Sequence, residues 1–258
     1  MKRALITGGA KRLGRAMALY LAGRGVDVVI HYHGSAAEAE ATAAEARARG
    51  VRAEILQADL LDEGATADLV ARAAQALDGP LDVLINNASI FEYDTLKSAS
   101  RESWDRHFES NLRAPFVLMQ HFAAQAPKAE TVEGEPRARA MVLNMLDQRV
   151  RKLTPEFMTY TLAKMGLWTL TQTGAQALAP DIRVNAIGPG PTLQGARQST
   201  EHFTKQRAAT ILQRGANPDE ICAALGYFLD APAVTGQLLC VDGGQHLGWK
   251  TPDVLGPE

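Results

Sequence analysis

Cysteine is nearly missing from this 258-residue chain: Cys222 and Cys240 stand alone, outside any Cys-x-x-Cys or Cys/His spacing. Neither a disulfide framework nor a zinc centre is expected. Long apolar runs are missing too. Met1-Lys2-Arg3 leads into a run too short for a signal peptide, and no stretch approaches the roughly 18 apolar residues of a membrane span. A soluble, cytoplasmic protein with no membrane partner is expected. There is no excess of one charge, since 27 Lys and Arg against 29 Asp and Glu leave −2, and the two signs are interspersed. Without a basic stripe, nucleic-acid binding is not expected. Internal repeats and low-complexity segments are also lacking.

What is present is enough apolar material, 46% of the chain, for one sizeable core, so residues 1–258 should form a single domain. Short β-branched runs alternate with Ala-rich helical segments. Strands are expected at Arg3 to Thr7, Val26 to Tyr32, Arg52 to Gln57, Leu81 to Asn86, Ala140 to Met145, Ile182 to Ile187 and Gln237 to Val241. Helices are expected at Leu13 to Arg24, Ala36 to Arg49, Glu63 to Leu77, Arg101 to Gln125, Pro155 to Leu178 and Pro218 to Leu229. This alternation implies right-handed crossovers and an α/β fold: a Rossmann-like, doubly wound parallel sheet of about seven strands with helices on both faces. Pro127 to Arg139 is expected to be a surface loop. Residues 188–215 open with Gly-Pro-Gly-Pro and turn polar and weakly helical, the composition of a lid over a site, and 243–258 form a C-terminal extension.

Thr7-Gly8-Gly9-Ala10-Lys11-Arg12-Leu13-Gly14 lies between the first strand and the first helix, where a glycine turn and a helix amino end can receive a pyrophosphate. A dinucleotide fold normally carries glycine where Arg12 stands, so a guanidinium here reaches the space near the phosphates or the substrate. At the end of the second strand an acid would bind a ribose 2′-hydroxyl and repel a 2′-phosphate. His31-Tyr32-His33-Gly34-Ser35 offers no acid. Donors at His33 and Ser35, with Lys11 across the turn, favour a 2′-phosphate and hence NADPH. Asp59, at the end of the third strand, can meet the adenine edge.

Tyr160-Thr161-Leu162-Ala163-Lys164 sets a phenol and an ammonium one turn apart on one helix face. A tyrosine near its usual value of about 10 is a poor proton donor at neutral pH, and a nearby cation lowers that value. Reduction of C=O or C=N needs such a group, because hydride arriving on carbon leaves charge on the heteroatom. Thirteen residues earlier stands Asp147, where a commoner relative would carry serine. Serine would donate one hydrogen bond to a carbonyl; a carboxyl group accepts from ring N–H groups when ionised or supplies a proton when neutral. A third option is a loop carboxylate paired with Arg149 or Arg151.

With these residues assembled, the chain resembles the short-chain dehydrogenase/reductase family over nearly its whole length. The resemblance rests on the Thr7 to Gly14 turn, Asp59, Asn86-Asn87-Ala88, Asn111, Tyr160 with Lys164, and Pro189-Gly190. Within the family it most resembles pteridine reductases and dihydromonapterin reductases, through Arg12, His31 to Ala39, Ser89-Ile90-Phe91 and Asp147. The resemblance implies that Tyr160 passes the proton and that Lys164 holds the nicotinamide ribose and lowers the tyrosine's pKa, while Asn111 supports a water relay. It implies that Phe91 stacks on a flat pterin, lid packing being the other role open to it, and that Ser89 and Arg12 bond the ring edge or the phosphates. NADPH is expected along Gly8, Lys11, Arg12, Leu13, Gly14, His33, Ser35, Asp59 and Leu60. It continues past Asn86, Asn87 and Ala88 to Tyr160, Lys164, Pro189 and Gly190.

The activity implied is NADPH-dependent reduction of a 7,8-dihydropterin (dihydromonapterin, dihydrobiopterin or dihydrofolate) to its tetrahydro form, with Asp147 expected to work with Tyr160 in protonating the ring nitrogen, by a homotetramer built on the helices containing Arg101 to Gln125 and Pro155 to Leu178. The alternatives are a general carbonyl or 3-oxoacyl reductase and a non-catalytic NADP(H)-sensing protein. Gly34 departs from the pattern, because pteridine reductases often place arginine there against the 2′-phosphate.

Overall fold

A computed structural model describes residues 1–195 and 198–249. In chain order the first half runs β1 (Arg3–Ile6), α1 (Arg12–Gly23), β2 (Asp27–Tyr32), α2 (Ala36–Arg47), β3 (Ala53–Gln57), α3 (Glu63–Ala76), β4 (Val83–Asn86) and α4 (Arg101–Phe108). A π-helical turn, Glu109–Arg113, joins α4 to α5 (Ala114–Gln125). The second half comprises β5 (Glu130–Val132), β6 (Glu135–Arg137), β7 (Ala140–Met145), α6 (Met158–Leu178), β8 (Ile182–Pro189), α7 (Thr200–Ala208), α8 (Pro218–Asp230) and β9 (Leu238–Val241).

Seven strands form one sheet in the order β3-β2-β1-β4-β7-β8-β9, and every neighbouring pair is parallel. This is the single-domain, doubly wound α/β architecture expected. Side chains alternate between the two faces of each strand. Ile6, Ile30, Ile85 and Leu143 pack against α1 and α8 through Met17, Leu21 and Phe228. Leu5, Val29, Leu84 and Val142 face the other way, onto Leu69 and Leu77 beside α3 and Phe122 of α5. Each fully buried side chain of this size contributes about 1.5–3 kcal/mol. The strand order reverses between β1 and β4, which opens a crevice at the carboxyl ends of the strands.

Three elements differ from the sequence expectation. Pro127 to Arg139 is not a plain loop, because Glu130–Val132 and Glu135–Arg137 pair antiparallel around Gly134, which sits at φ 85°. The helix expected over Arg101 to Gln125 is interrupted by the π turn that carries Asn111. The helix expected from Pro155 begins at Met158, because Phe157 adopts left-handed backbone (φ 54°, ψ 49°) that cannot continue a right-handed helix. The segment 188–215, expected to be weakly helical, contains α7, while residues 196–197 and 250–258, including the end of the C-terminal extension, lie outside the described residues.

Candidate active site

The turn after β1 is built from three directions. Thr7 Oγ1 donates to the Ile85 carbonyl (3.3 Å) and accepts from the backbone N–H groups of Asn87 (2.9 Å) and Ala88 (3.0 Å). The Asn87 amide donates to the carbonyls of Thr7 (2.9 Å) and Gly8 (3.1 Å), which ties the turn to the end of β4. From β2, the buried His31 accepts the Gly8 N–H on Nδ1 (3.1 Å) and donates from Nε2 to Ala58 O (3.1 Å). Burial, the main cause, pushes this histidine down to about 4 and keeps it neutral. A Cβ on Gly14 would lie 2.2 Å from the Gly8 carbonyl oxygen, so only glycine lets α1 approach the turn this closely. The resulting cradle at a helix amino end suits a dinucleotide pyrophosphate.

Arg12 sits at φ 55°, a backbone that glycine enters freely and other residues at a cost of about 1–2 kcal/mol. Its guanidinium reaches the cleft, but it holds the segment after β8: its two terminal nitrogens donate to Gln194 O (2.8 Å) and Leu193 O (3.0 Å). Near the carboxyl ends of β2 and β3, Lys11 forms an exposed ion pair with Glu38 (3.2 Å), and His33 Nδ1 lies 3.5 Å from Asp59 Oδ1. Ser35 starts α2 without a side-chain capping bond.

At the reaction end, Tyr160 and Lys164 are both buried on α6, with the ammonium 5.6 Å from the tyrosine ring centre. Tyr160 OH donates to Asp147 Oδ2 (3.1 Å), and Asp147 Oδ1 accepts from the Arg149 backbone N–H (2.8 Å). The Arg149 side chain instead meets Thr154 and the Phe157 ring, and Arg151 lies over Trp168, so Asp147 is not a loop ion-pair partner. The expected lowering of the phenol by Lys164 is not what this geometry produces. Burial first, then the Asp147 carboxylate, push Tyr160 well above its ordinary value, because a phenolate would sit desolvated beside a negative group. Lys164 itself is lowered to about 8 by burial and donates to Met145 O (2.8 Å).

A cleft of about 670 Å³ unites most of the residues picked out from sequence: Gly8, Lys11 to Gly14, His33, Asp59, Leu60, Asn87 to Ser89, Phe91, Asp147, Tyr160, Lys164, Pro189 and Gly190. Three others do not line it. Asn86 is buried in the sheet and donates to Asn144 Oδ1 (2.8 Å), so it supports the site without lining it. Asn111 is fully buried, and its amide donates to Ile90 O (2.9 Å) while its carbonyl accepts from Ser89 Oγ (2.7 Å). Ser35 lies outside the lining.

Some residues of the site left little trace in the sequence. Arg106 and Ser110 reach the cleft from α4 and the π turn, and Thr192 and Leu193 from the segment after β8. Phe157 stacks on Phe91 (ring centres 4.3 Å apart, planes at 11°), and Phe91 meets Tyr160 edge-on at 4.7 Å. Only the i,i+4 spacing of Arg106 and Ser110 hinted at a shared face.

Residues 8–246 match the family model described as enoyl-(acyl carrier protein) reductase. The chain belongs to the short-chain dehydrogenase/reductase family. It is an oxidoreductase of that family, and its relatives divide in an informative way. The 3-oxoacyl-[acyl-carrier-protein] reductase FabG of Staphylococcus aureus is 28% identical, with 95% of this chain and 98% of that protein covered. The FolM alternative dihydrofolate reductase 1 from Brucella canis, solved with NADP, is 43% identical with a TM-score of 0.90, covering 98% of this chain and 97% of that one. Its counterpart from Brucella suis, also solved with NADP, is 42% identical with a TM-score of 0.91 and 98% coverage of both.

Proposed function

We propose that this reductase uses NADPH to reduce a 7,8-dihydropterin (dihydromonapterin, dihydrobiopterin or dihydrofolate) to the tetrahydro form. The observation that carries the reading is the hydrogen bond between Tyr160 and Asp147, set beside the half-exposed Phe91, whose ring Phe157 backs on one face. A flat ring against Phe91 presents its nitrogens to a phenol that donates and a carboxylate that accepts. The stacking contributes about 0.5–1.5 kcal/mol beyond burial.

When bound, NADPH supplies a hydride to the carbon of the C=N bond. The Gly8 to Gly14 cradle would hold its phosphates, Lys11 and His33 would meet the 2′-phosphate, Asp59 with Leu60 would border the adenine, and Asn87 and Ala88 would border the cofactor along the turn that the Asn87 amide ties down. Lys164 bonds the nicotinamide ribose, and Pro189 and Gly190 border the nicotinamide. Tyr160 Oη delivers the proton to the ring nitrogen, and Asp147 Oδ2 orients that phenol and grips a ring N–H. Asn111 holds Ser89 and Ile90 against the substrate side. The identity to two NADP-bound FolM reductases supports this reading, as do Arg12, Phe91 and Asp147 together. A cytoplasmic homotetramer, with a lid over 188–215, completes the proposal; among the described residues no helix is long and apolar enough to cross a membrane.

The second reading is reduction of a 3-oxoacyl or simple carbonyl substrate, which the FabG relatives favour. NADPH oxidation followed with dihydromonapterin, dihydrobiopterin, dihydrofolate and a simple ketone, and repeated with NADH, separates the two. Turnover of a dihydropterin with NADPH supports the first reading, and turnover of the ketone alone overturns it.

A further inference from the structure

Behind Tyr160 lies a buried polar chain that the reaction scheme does not use. His107 of α4 is fully buried, with its ring 6.0 Å from the tyrosine ring and nearly perpendicular to it. Its Nε2 faces the backbone N–H of Glu92 (3.1 Å), and its Nδ1 faces Thr159 Oγ1 (2.6 Å). Thr159 Oγ1 in turn bonds Asp94 Oδ2, and the Thr159 N–H donates to Asp94 Oδ1 (3.1 Å). Ser103 Oγ donates to Asp94 Oδ2 (2.6 Å).

One proton arrangement satisfies the contacts that link Glu92, His107, Thr159 and Asp94. The Glu92 N–H can only donate, so Nε2 accepts and the imidazole proton resides on Nδ1. The Asp94 carboxylate accepts, so the Thr159 hydroxyl donates to it and receives the Nδ1–H. Burial pushes His107 below its usual value, which agrees with a neutral ring of fixed tautomer.

The two ends of this chain sit on the two halves of the reaction end. Glu92 follows Phe91, and Thr159 precedes Tyr160. The amino end of α6 has no cap of its own, since Phe157 is left-handed and makes no capping bond. Asp94 provides one from another element, taking Thr159 N–H on its side chain and Met158 N–H on its carbonyl (3.4 Å). Arg106 separately holds the Glu92 carboxylate (3.0 Å), so the Phe91 segment keeps a second anchor when His107 changes.

We propose that His107 is a two-handed positioning residue, whose Nε2 sets the ring-stacking Phe91 through Glu92 and whose Nδ1 sets the proton-donating Tyr160 through Thr159. The proposal rests on the dihydropterin reading for the identity of the stacked ring. It goes beyond that reading by assigning substrate placement and proton delivery to different atoms of one imidazole.

The test separates the two hands. In His107→Asn the amide occupies the Nδ1 position and keeps the Thr159 link; in His107→Gln it occupies the Nε2 position and keeps the Glu92 link. Steady-state kinetics with a dihydropterin should show a KM about tenfold higher with kcat nearly kept for His107→Asn. His107→Gln should show a kcat about tenfold lower with KM nearly kept. Each tenfold change corresponds to about 1.4 kcal/mol. Equal changes in both parameters for both variants, or none in either, overturn the proposal in favour of plain packing. If these variants do not fold, Thr159→Val against Thr159→Ser decides: kcat falls in the first and is kept in the second, and two variants alike in kcat overturn it. A wild-type protein that reduces no dihydropterin sinks the substrate reading alone, and the same kcat and KM comparison is then made on the flat ring it does reduce.

Discussion

Replacing Asp147 by Asn preserves shape and removes charge at the centre of the proposed chemistry. The carboxylate now accepts from Tyr160 OH and from the Arg149 N–H on separate oxygens, whereas an amide has one oxygen for the two donors. A simple ketone needs only the proton of Tyr160, which the variant retains, so its kcat/KM should stay within about tenfold of wild type. A dihydropterin also loses the charge-assisted bond to its ring N–H. Such bonds contribute about 1.5–3 kcal/mol, or roughly 10- to 150-fold in rate. The ratio of dihydropterin to ketone kcat/KM should therefore fall by that factor, and Asp147→Ser should behave likewise. The assay is the rate of NADPH consumption with each substrate across a pH series. Activity that requires a neutral Tyr160 is lost as pH rises through its raised pKa. Removing the neighbouring charge moves that limb to lower pH, while burial still holds it up. Equal losses on both substrates with an unmoved alkaline limb would refute the role given to Asp147.

Three further outcomes follow from named contacts. His31 is neutral in the fold at about 4 and protonates near 6.5 when unfolded, so its contribution is complete above pH 6.5 and lost as pH falls towards 4. That amounts to about 3 kcal/mol, and His31→Asn should flatten this part of the pH dependence in chemical denaturation; an unchanged slope counts against it. Gly14→Ala puts a methyl 2.2 Å from Gly8 O and 2.6 Å from Asn87 Nδ2, which should cost about 1–3 kcal/mol and weaken NADPH binding at least tenfold by fluorescence titration. Wild-type affinity would be the wrong outcome. Arg12→Gly should raise substrate KM, because the carbonyls of Leu193 and Gln194 lose two hydrogen bonds, while about 1 kcal/mol of relieved backbone strain offsets part of that loss in thermal stability. An unchanged KM would contradict the role given to these bonds.

The alternation of apolar strands and Ala-rich helices was legible because a buried parallel sheet demands it. All seven sheet strands lie where that pattern indicated. The Gly8 to Gly14 turn, Asn87, Asp147, Tyr160 and Lys164 were also legible, since each depends on spacing within one strand, turn or helix. The antiparallel pairing of Glu130 to Arg137 was hidden because exposed three-residue strands bury no apolar face. The break before Met158 was hidden too, because left-handed backbone at a phenylalanine is sustained by contacts with Phe91, Tyr93 and Arg149 that are distant in sequence or across the loop.

By itself, then, the sequence determined the sheet, the phosphate cradle and the identity of the groups that can move a proton. Tertiary structure alone decided what those groups experience. Burial and a carboxylate 3.1 Å away hold Tyr160 protonated, although its own helix supplies a cation one turn on. Desolvation acts on whole surroundings, and spacing along one helix does not encode it. The same reason separates His31 and His107, alike as single letters, into a clamp on the phosphate turn and a bridge between Phe91 and Tyr160.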